Sequence, residues 1–466
     1  MAQMYKLEPS LGAGSAPIRL GDPVPEDRAE WVTIGRLAEL GPRREVRLDL
    51  TREHVLAIVG KRGAGKSFTL GAFLEGLCTT VPDTAINHIR QQRAALLFDV
   101  LNIFQWMVAP VRDQAGGGSA HVAEQARLLR QWGGPIDVDL AVDLWVPAGY
   151  QDRVTGRANA FSIRPSDMDI ADWASLLHVD AMQDIMGQLL TAVVDKVSRR
   201  GWMQDGAAMA PDPDYEVADL LACLANDDDI KQDYQRETCR ALRQRLGAYE
   251  ASPLFDRQGT RLNDLLQPGR LSVMLLSGVP DDVRLVVIFL LIRQLLFARA
   301  AASEAAKSIE LGFGDDPAER DRLNAVLEDA PPKTWVVVDE AQNIFPSERQ
   351  TAASSILLRF VREGRNFGLS LGFTTQQPSA IDSRVMAQVD TLLAHTLTVQ
   401  KDISNVLGNQ KSLEPTSIRL RGTALTTADA IRKLAVGQAF ISSTHAQRGL
   451  FIDVRPRLSI HGGFEG

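Results

Sequence analysis

The run Gly60–Lys61–Arg62–Gly63–Ala64–Gly65–Lys66–Ser67 constrains this chain more than any other feature. It follows a buried-strand pattern, HVLAIVG, and leads into SFTLGAFLEGL at helical spacing. Glycines at these positions let successive backbone N–H groups curl around a β-phosphate, and the following helix turns its positive N-terminus toward the same anion. Lys66 supplies a point charge to the β/γ oxygens, and Ser67 Oγ supplies a ligand for Mg²⁺. A strand, a phosphate loop and a helix in this order need further strands beside them.

Those strands are legible. AALLFDV (94–100), RLSVMLLSG (270–278), TWVVVDE (334–340) and GLSLGFTTQQ (368–377) are continuous apolar runs. They alternate with helical patterns at 169–194, 283–300 and 354–366. Buried strands alternating with helices predict an α/β fold with a parallel, helix-covered sheet. EWVTIGRL and REVRLDL alternate apolar and polar residues, as a short β-hairpin does. Residues 1 to about 30 read as a loose arm, 201–215 as a linker, and Gly116–Gly118 and GFGDDPAERD as loops. Asp227–Asp229 read as a solvated acidic loop. The expected division is an N-terminal arm and short β segment (1–48), a first core part with the phosphate loop (49–140), a mostly helical insertion (141–266), a second core part (267–445) and a C-terminal tail (446–466).

Composition narrows the function. Lys+Arg 51 against Asp+Glu 58 gives a net charge of −7, which excludes a uniformly basic coat for nucleic acid but leaves room for a local basic channel. Cys78, Cys223 and Cys239 are scattered, with neither a disulfide framework nor metal-ligand spacing, so a reducing, cytoplasmic setting is expected. The N-terminus carries no signal-peptide pattern. The longest apolar stretch, Leu285–Phe297, is interrupted by Arg293 and is shorter than the roughly 20 residues of a membrane span. It is expected to be a buried helix, with no membrane partner.

The remaining chemistry sits at strand ends. Asp339 closes the strand TWVVV, where a carboxylate can reach the Mg²⁺ shell, and Glu340 beside it can polarise an attacking water. Asp99 ends AALLF, where it can help hold Mg²⁺ or the phosphate loop, although many strands end in an acid at a turn. Gln376, at the tip of GLSLGFTT, is a neutral amide suited to sensing a γ-phosphate. Arg359, Arg362 and Arg365 lie in and just past a helix whose buried face is Ile356, Leu357, Phe360 and Val361. Such arginines are usually a solvated face, and the sharper role is a finger reaching a neighbouring subunit's nucleotide.

The segments HVLAIVGKRGAGKSFT, LLFDV, VVVDEAQNIFP, VREGRNFGLSLGFTTQQPSAID and VRPRLSIHGG together resemble the HerA branch of the HerA–FtsK superfamily of ring-forming DNA-pumping ATPases. The resemblance implies a RecA-like P-loop core, a homo-hexamer, Mg²⁺ and ATP as ligands, and double-stranded DNA in a central channel. It implies nucleotide contacts at Gly60, Gly63, Ala64, Gly65, Lys66, Ser67, Phe68 and Asp99, and metal contacts at Ser67 and Asp339. Glu340 becomes the catalytic acid, Gln376 the sensor, Arg365 the trans finger and Arg362 its second candidate. Two departures stand out. About 50 residues precede the phosphate loop, room for only part of the family's N-terminal β-barrel, and Gln377 stands where the family's TQRPS-like segment has a basic residue. The expected function is a DNA translocase working with a nuclease or other effector, in DNA end processing or antiphage defence. An ATP-gated scaffold that activates an effector is the alternative, and a membrane-anchored coupling ATPase ranks below both. Arg153, Arg157 and Arg164, or Lys401, Lys411, Arg419 and Arg421, are the candidate channel residues.

Overall fold

The computed structural model describes residues 4–11, 14–21, 24–79, 86–112, 119–154, 156–313, 316–347 and 352–463. Gly116–Gly118 lie outside these segments. Every residue of the strand Val55–Val59 is buried. Val55, Ala57 and Val59 pack into the cluster that holds the long helix Asp281–Glu310. Leu56 and Ile58 pack on the opposite face with the phosphate-loop helix Lys66–Cys78. Thr334–Val338 repeats the arrangement, with Val336 and Val338 on the first face and Trp335 and Val337 on the second. A strand covered on both faces has no polar side to show, which is why these segments read as unbroken apolar runs.

The parallel part of the sheet runs Thr391–Ala394, Val55–Val59, Leu369–Thr375, Thr334–Val338, Ala94–Asp99, Leu271–Leu275, Val142–Pro147, Asn159–Phe161. Pairing of Thr375 with Val59, and of Val338 with Phe373 and Phe98, brings the carboxyl ends of these strands to one edge. Gly60, Gln376, Asp339 and Asp99 follow or close them there. That edge is where open α/β sheets bind ligands. The α/β, RecA-like P-loop core with a parallel sheet is therefore present as expected.

The ends of the chain depart from expectation. The hairpin Trp31–Leu37/Glu45–Asp49 is not a fragment of a separate barrel. It joins the central sheet through Leu450–Val454, which pairs with Gln438–Ser443 on its other side, in a mixed sheet of 14 strands. Within the expected loose arm, Tyr5–Glu8 pairs with Ser417–Leu420, and Ile18–Leu20 pairs with Glu45–Asp49. Tyr5 and Leu7 alternate into the core, a signal too short to stand out in Gly- and Pro-rich sequence. The helical insertion begins later than residue 141, because Val142–Pro147 and Asn159–Phe161 extend the parallel sheet. Inside the expected linker, Trp202–Gln204 and Ala207–Met209 form a small hairpin.

Asp227 is not solvated. It is fully buried and caps the helix Asp228–Asp233, accepting from Ile230 N at 2.8 Å on one oxygen and from Lys196 Nζ at 3.2 Å and Met203 N at 3.1 Å on the other. Among the described residues, Asp281–Glu310 is the one helix long and apolar enough to cross a membrane. Val286 to Ile292 are buried in the protein core, and Arg293 pairs with Asp169 and Asp172.

Candidate active site

The phosphate loop turns on two glycines. Gly63 (φ +72°) and Gly65 (φ +104°) hold left-handed backbone, which a side chain would strain, and Gly65 caps the helix Lys66–Cys78. The loop is tied to its neighbours by Gly60 N donating to Thr375 O at 3.3 Å and Lys61 N to Thr396 O at 2.9 Å. Lys66 is 6% exposed, and its Nζ donates to Lys61 O at 3.2 Å. Burial lowers its pKa, against the opposing pull of Glu340 and Asp339. Ala64 is buried, while Ser67 and Phe68 are half-buried on the first helical turn.

Beneath the helix, His395 closes the strand Thr391–Ala394 and is fully buried. Its Nδ1 lies 2.8 Å from Gln438 O and its Nε2 lies 2.9 Å from Thr69 Oγ1. Desolvation lowers its pKa to about 4, so the ring is neutral, donating from Nδ1 and accepting the threonine proton at Nε2. It backs the loop so closely that a Cβ on Gly60 would sit 2.7 Å from its own Cβ.

The two acids differ sharply in their partners. Asp339 is 1% exposed; one oxygen accepts from Thr374 Oγ1, and Oδ2 is buried with no hydrogen-bond partner. Desolvation, together with the charge of Glu340, raises its pKa to about 6 despite Thr374 and Lys66. A buried carboxylate oxygen with no donor, close enough to Lys66 for their charges to interact, fits a hard cation. Asp339 and Ser67 are the residues that would hold Mg²⁺ here. Glu340 is 7% exposed and sits in the left-handed region at φ 54°, ψ 52°, which costs about 1–3 kcal/mol for a residue with a side chain. Its backbone N donates to Thr374 Oγ1 at 3.2 Å. Gln376 Nε2 donates to its Oε1 at 2.5 Å, and Gln342 Nε2 to its Oε2 at 2.7 Å. Thr375 Oγ1 in turn donates to Gln342 Oε1 at 2.7 Å. The expected acid and sensor are thus in direct contact, and two amides orient the acid.

Asp99 lies at the same edge but is otherwise engaged. Its oxygens accept from Leu101 N at 3.1 Å and Phe104 N at 2.7 Å, fixing the turn after its strand. Burial and the nearby Asp339 raise its pKa to about 7. Arg365 stands at the opposite edge of the sheet. Its Nη2 donates at 2.7 Å to Asp390 Oδ2, which also accepts from Val55 N at 2.9 Å. Four residues of strand at about 3.3 Å each separate Val55 from the phosphate-loop end, so Arg365 is remote from its own protomer's loop. Arg362 is exposed on the preceding helix, Ala352–Glu363, and Gln377 is exposed beside the sensor. Of the candidate channel residues, Arg153 donates to Gly278 O, Arg164 pairs with Asp167 at 2.8 Å and Lys411 Nζ donates to Ala387 O at 3.1 Å. Arg157, Lys401, Arg419 and Arg421 are exposed.

Sequence reasoning missed Gln342, Thr374 and His395. Gln342 follows Glu340 by two residues inside a segment already singled out, so a left-handed turn after the acid would have flagged it.

Comparison with known proteins adds the family. The model of the HerA helicase central domain matches residues 32–295, more than half of the chain, and that of zonular occludens toxin matches 287–401. The DNA double-strand break repair helicase HerA of Pyrococcus furiosus is 25% identical over 155 residues, 32% of this chain and 28% of the relative. A probable helicase of Methanocaldococcus jannaschii is 30% identical over 97 residues, 21% of this chain and 19% of the relative. Each alignment therefore spans under a third of the curated relative. Among solved structures, VirB4 of Thermoanaerobacter pseudethanolicus superposes over 91% of this chain and 96% of its own, at 14% identity and a TM-score of 0.46. The phosphate loop lies inside the segment matched to the HerA central domain, 32–295, which covers more than half of the chain, and the chain belongs to the HerA helicase family.

Proposed function

We propose that the protein is an Mg²⁺-dependent ATP hydrolase that assembles as a homo-hexameric ring and moves double-stranded DNA, in the cytoplasm and together with a nuclease or other effector. One observation carries the hydrolytic part. Glu340 is clasped by Gln342 and Gln376 beside Asp339, whose buried Oδ2 has no hydrogen-bond partner. A fixed acid next to a cation-ready acid fits turnover better than passive nucleotide binding. In this reading Lys66 and the loop hold the phosphates, Ser67 and Asp339 hold Mg²⁺, Glu340 orients water and Gln376 reports the γ-phosphate. Family membership supports the DNA part, as do the exposed Arg157, Lys401, Arg419 and Arg421, which six copies would multiply around a channel.

The test is steady-state ATPase activity with and without linear duplex DNA. DNA-stimulated turnover, abolished in Lys66→Ala and Glu340→Gln, is the expected result. Turnover indifferent to DNA but stimulated by a co-purifying effector would replace pumping with an ATP-gated scaffold.

A further inference from the structure

Phosphate and metal positions leave open where the nucleoside goes. We propose that Phe68, Trp106 and His461 form a stacking platform for the base of a purine nucleoside triphosphate. The proposal rests on the ATP reading above and adds a subsite to which the C-terminal tail contributes His461.

Phe68 follows Ser67 directly, on the first turn of the phosphate-loop helix, and is half-buried. The His461 ring meets it edge-on, with centroids 5.4 Å apart and planes at 84°. His461 is held at three polar atoms: its N donates to Gln125 Oε1 at 3.3 Å, its O lies 3.1 Å from His121 Nε2, and its Nδ1 accepts from Arg457 Nη1 at 3.1 Å. Burial, then Arg457 and His121, keep its pKa at about 3, so the ring is neutral in any physiological buffer. The next residue, Gly462, rests on Trp106: a Cβ there would lie 2.0 Å from the indole Cδ1. Trp106 belongs to the turn that Asp99 fixes and is nevertheless 39% exposed, with Leu101 beside that turn 51% exposed. Exposed Trp106 surface, at the sheet edge that carries the phosphate loop, suits a flat, apolar ligand surface.

The tail is also rigidly placed. Glu75, on the phosphate-loop helix, is fully buried and binds Arg455 at 2.9 Å and Arg457 at 3.4 Å. It further accepts from Leu458 N and Ser459 N, each at 2.9 Å. The helix that presents Lys66 and Ser67 thereby carries His461 with it, so platform and phosphate loop keep one geometry. Stacking on such rings favours the larger face of a purine over a pyrimidine.

The experiment measures binding of ATP, CTP and inorganic triphosphate to the full chain with Mg²⁺. Wild type, Trp106→Ala, Trp106→Leu and His461→Ala are compared by calorimetry. In wild type, ATP should bind about tenfold tighter than inorganic triphosphate, the order that one base on one aromatic ring contributes, and tighter than CTP, whose base offers a smaller face. Each variant should weaken ATP about tenfold and collapse the ATP-to-CTP ratio, with inorganic triphosphate unchanged. Trp106→Leu keeps apolar bulk without the ring, so it separates stacking from packing. Variants that leave the ratio at its wild-type value, weaken all three ligands equally, or only change the particle mass would overturn the platform. If wild type binds none of the three ligands, the ATP reading itself fails.

Discussion

Glu340 works from a strained backbone with both side-chain oxygens taken, and this shapes what its neighbours do. An acid that polarises water needs one oxygen free at the moment of attack. On the proposed mechanism Gln376, which donates to Glu340, exchanges it for the γ-phosphate, whereas Gln342, braced by Thr375, stays. Gln342→Ala should therefore lower kcat about tenfold with little change in KM for ATP, and Glu340→Gln should retain binding while losing about 10²–10⁴ in kcat. Steady-state kinetics and nucleotide binding on the two variants check this. An unchanged kcat in Gln342→Ala would make that amide ornamental. Lys66, Asp339, Glu340 and Gln376 were legible because each is a short pattern at a strand end. Thr374 was not, because its partners Asp339 and Glu340 lie on the adjacent strand and only the sheet register brings them together. His395 offers a pH test. Its folded pKa of about 4 lies below the ordinary histidine value of 6.5, so its contribution is intact above pH 6.5 and is lost as pH falls toward 4, at up to about 1.4 kcal/mol per unit. Asp339 and Asp99, raised to about 6 and about 7, act in the opposite sense, losing stability as pH rises from about 4. The measurement is thus a difference: His395→Gln should lose less stability than wild type between pH 7 and pH 5 in urea titrations. Parallel pH profiles would remove His395 as a titrating element.

Among the elements, the C-terminal tail carries more structure than its length suggests. Leu450–Val454 bridges the N-terminal hairpin to the core sheet, and residues 455–459 wrap Glu75 on the phosphate-loop helix. Arg455 donates to Thr33 O at 2.9 Å and to Ala72 O, so one guanidinium joins tail, hairpin and helix. Removing the carboxylate leaves two buried guanidinium groups without their counter-charge. Glu75→Ala should cost about 3–5 kcal/mol of stability, read by urea denaturation. A loss below about 1 kcal/mol would mean that water reaches the cluster and takes over its bonds. None of this was legible beforehand, although VRPRLSIHGG was already among the matched segments. Two arginines in a tail look like surface charge until the fully buried Glu75, some 380 residues earlier, is seen between them. The core strands were legible for the opposite reason, since burial on both faces is written in each strand alone. Edge strands such as Tyr5–Glu8 depend on a partner near the other end of the chain.

At the scale of the whole molecule, the separation of Arg365 from the phosphate loop becomes an argument about assembly. Arg365 is 52% exposed and paired with Asp390 at the sheet edge opposite its own nucleotide site, so any catalytic role must be played on another protomer. A head-to-tail interface that presents this edge to a neighbour's loop generates a ring when its rotation closes. Light scattering with Mg²⁺ and an ATP analogue should give about six protomers, and a strict monomer at micromolar concentration would sink ring and finger together. Within a ring, the neighbour's γ-phosphate must compete with Asp390 for the guanidinium. Arg365→Ala should cut turnover by about 10³–10⁵ with a much smaller effect on ATP affinity. Asp390→Asn should leave Arg365 unrestrained and lower turnover far less. Mixing subunits then assigns the finger. Glu340→Gln and Arg365→Ala rings are each expected to be inactive, but in mixed rings some interfaces pair an intact Glu340 with an intact neighbouring Arg365. Partial activity should return in proportion to those interfaces. With subunit exchange shown by mass, failure to recover activity would place Arg365 in a structural role through Asp390. Full activity of Arg365→Ala would shift the test to Arg362, exposed three residues earlier.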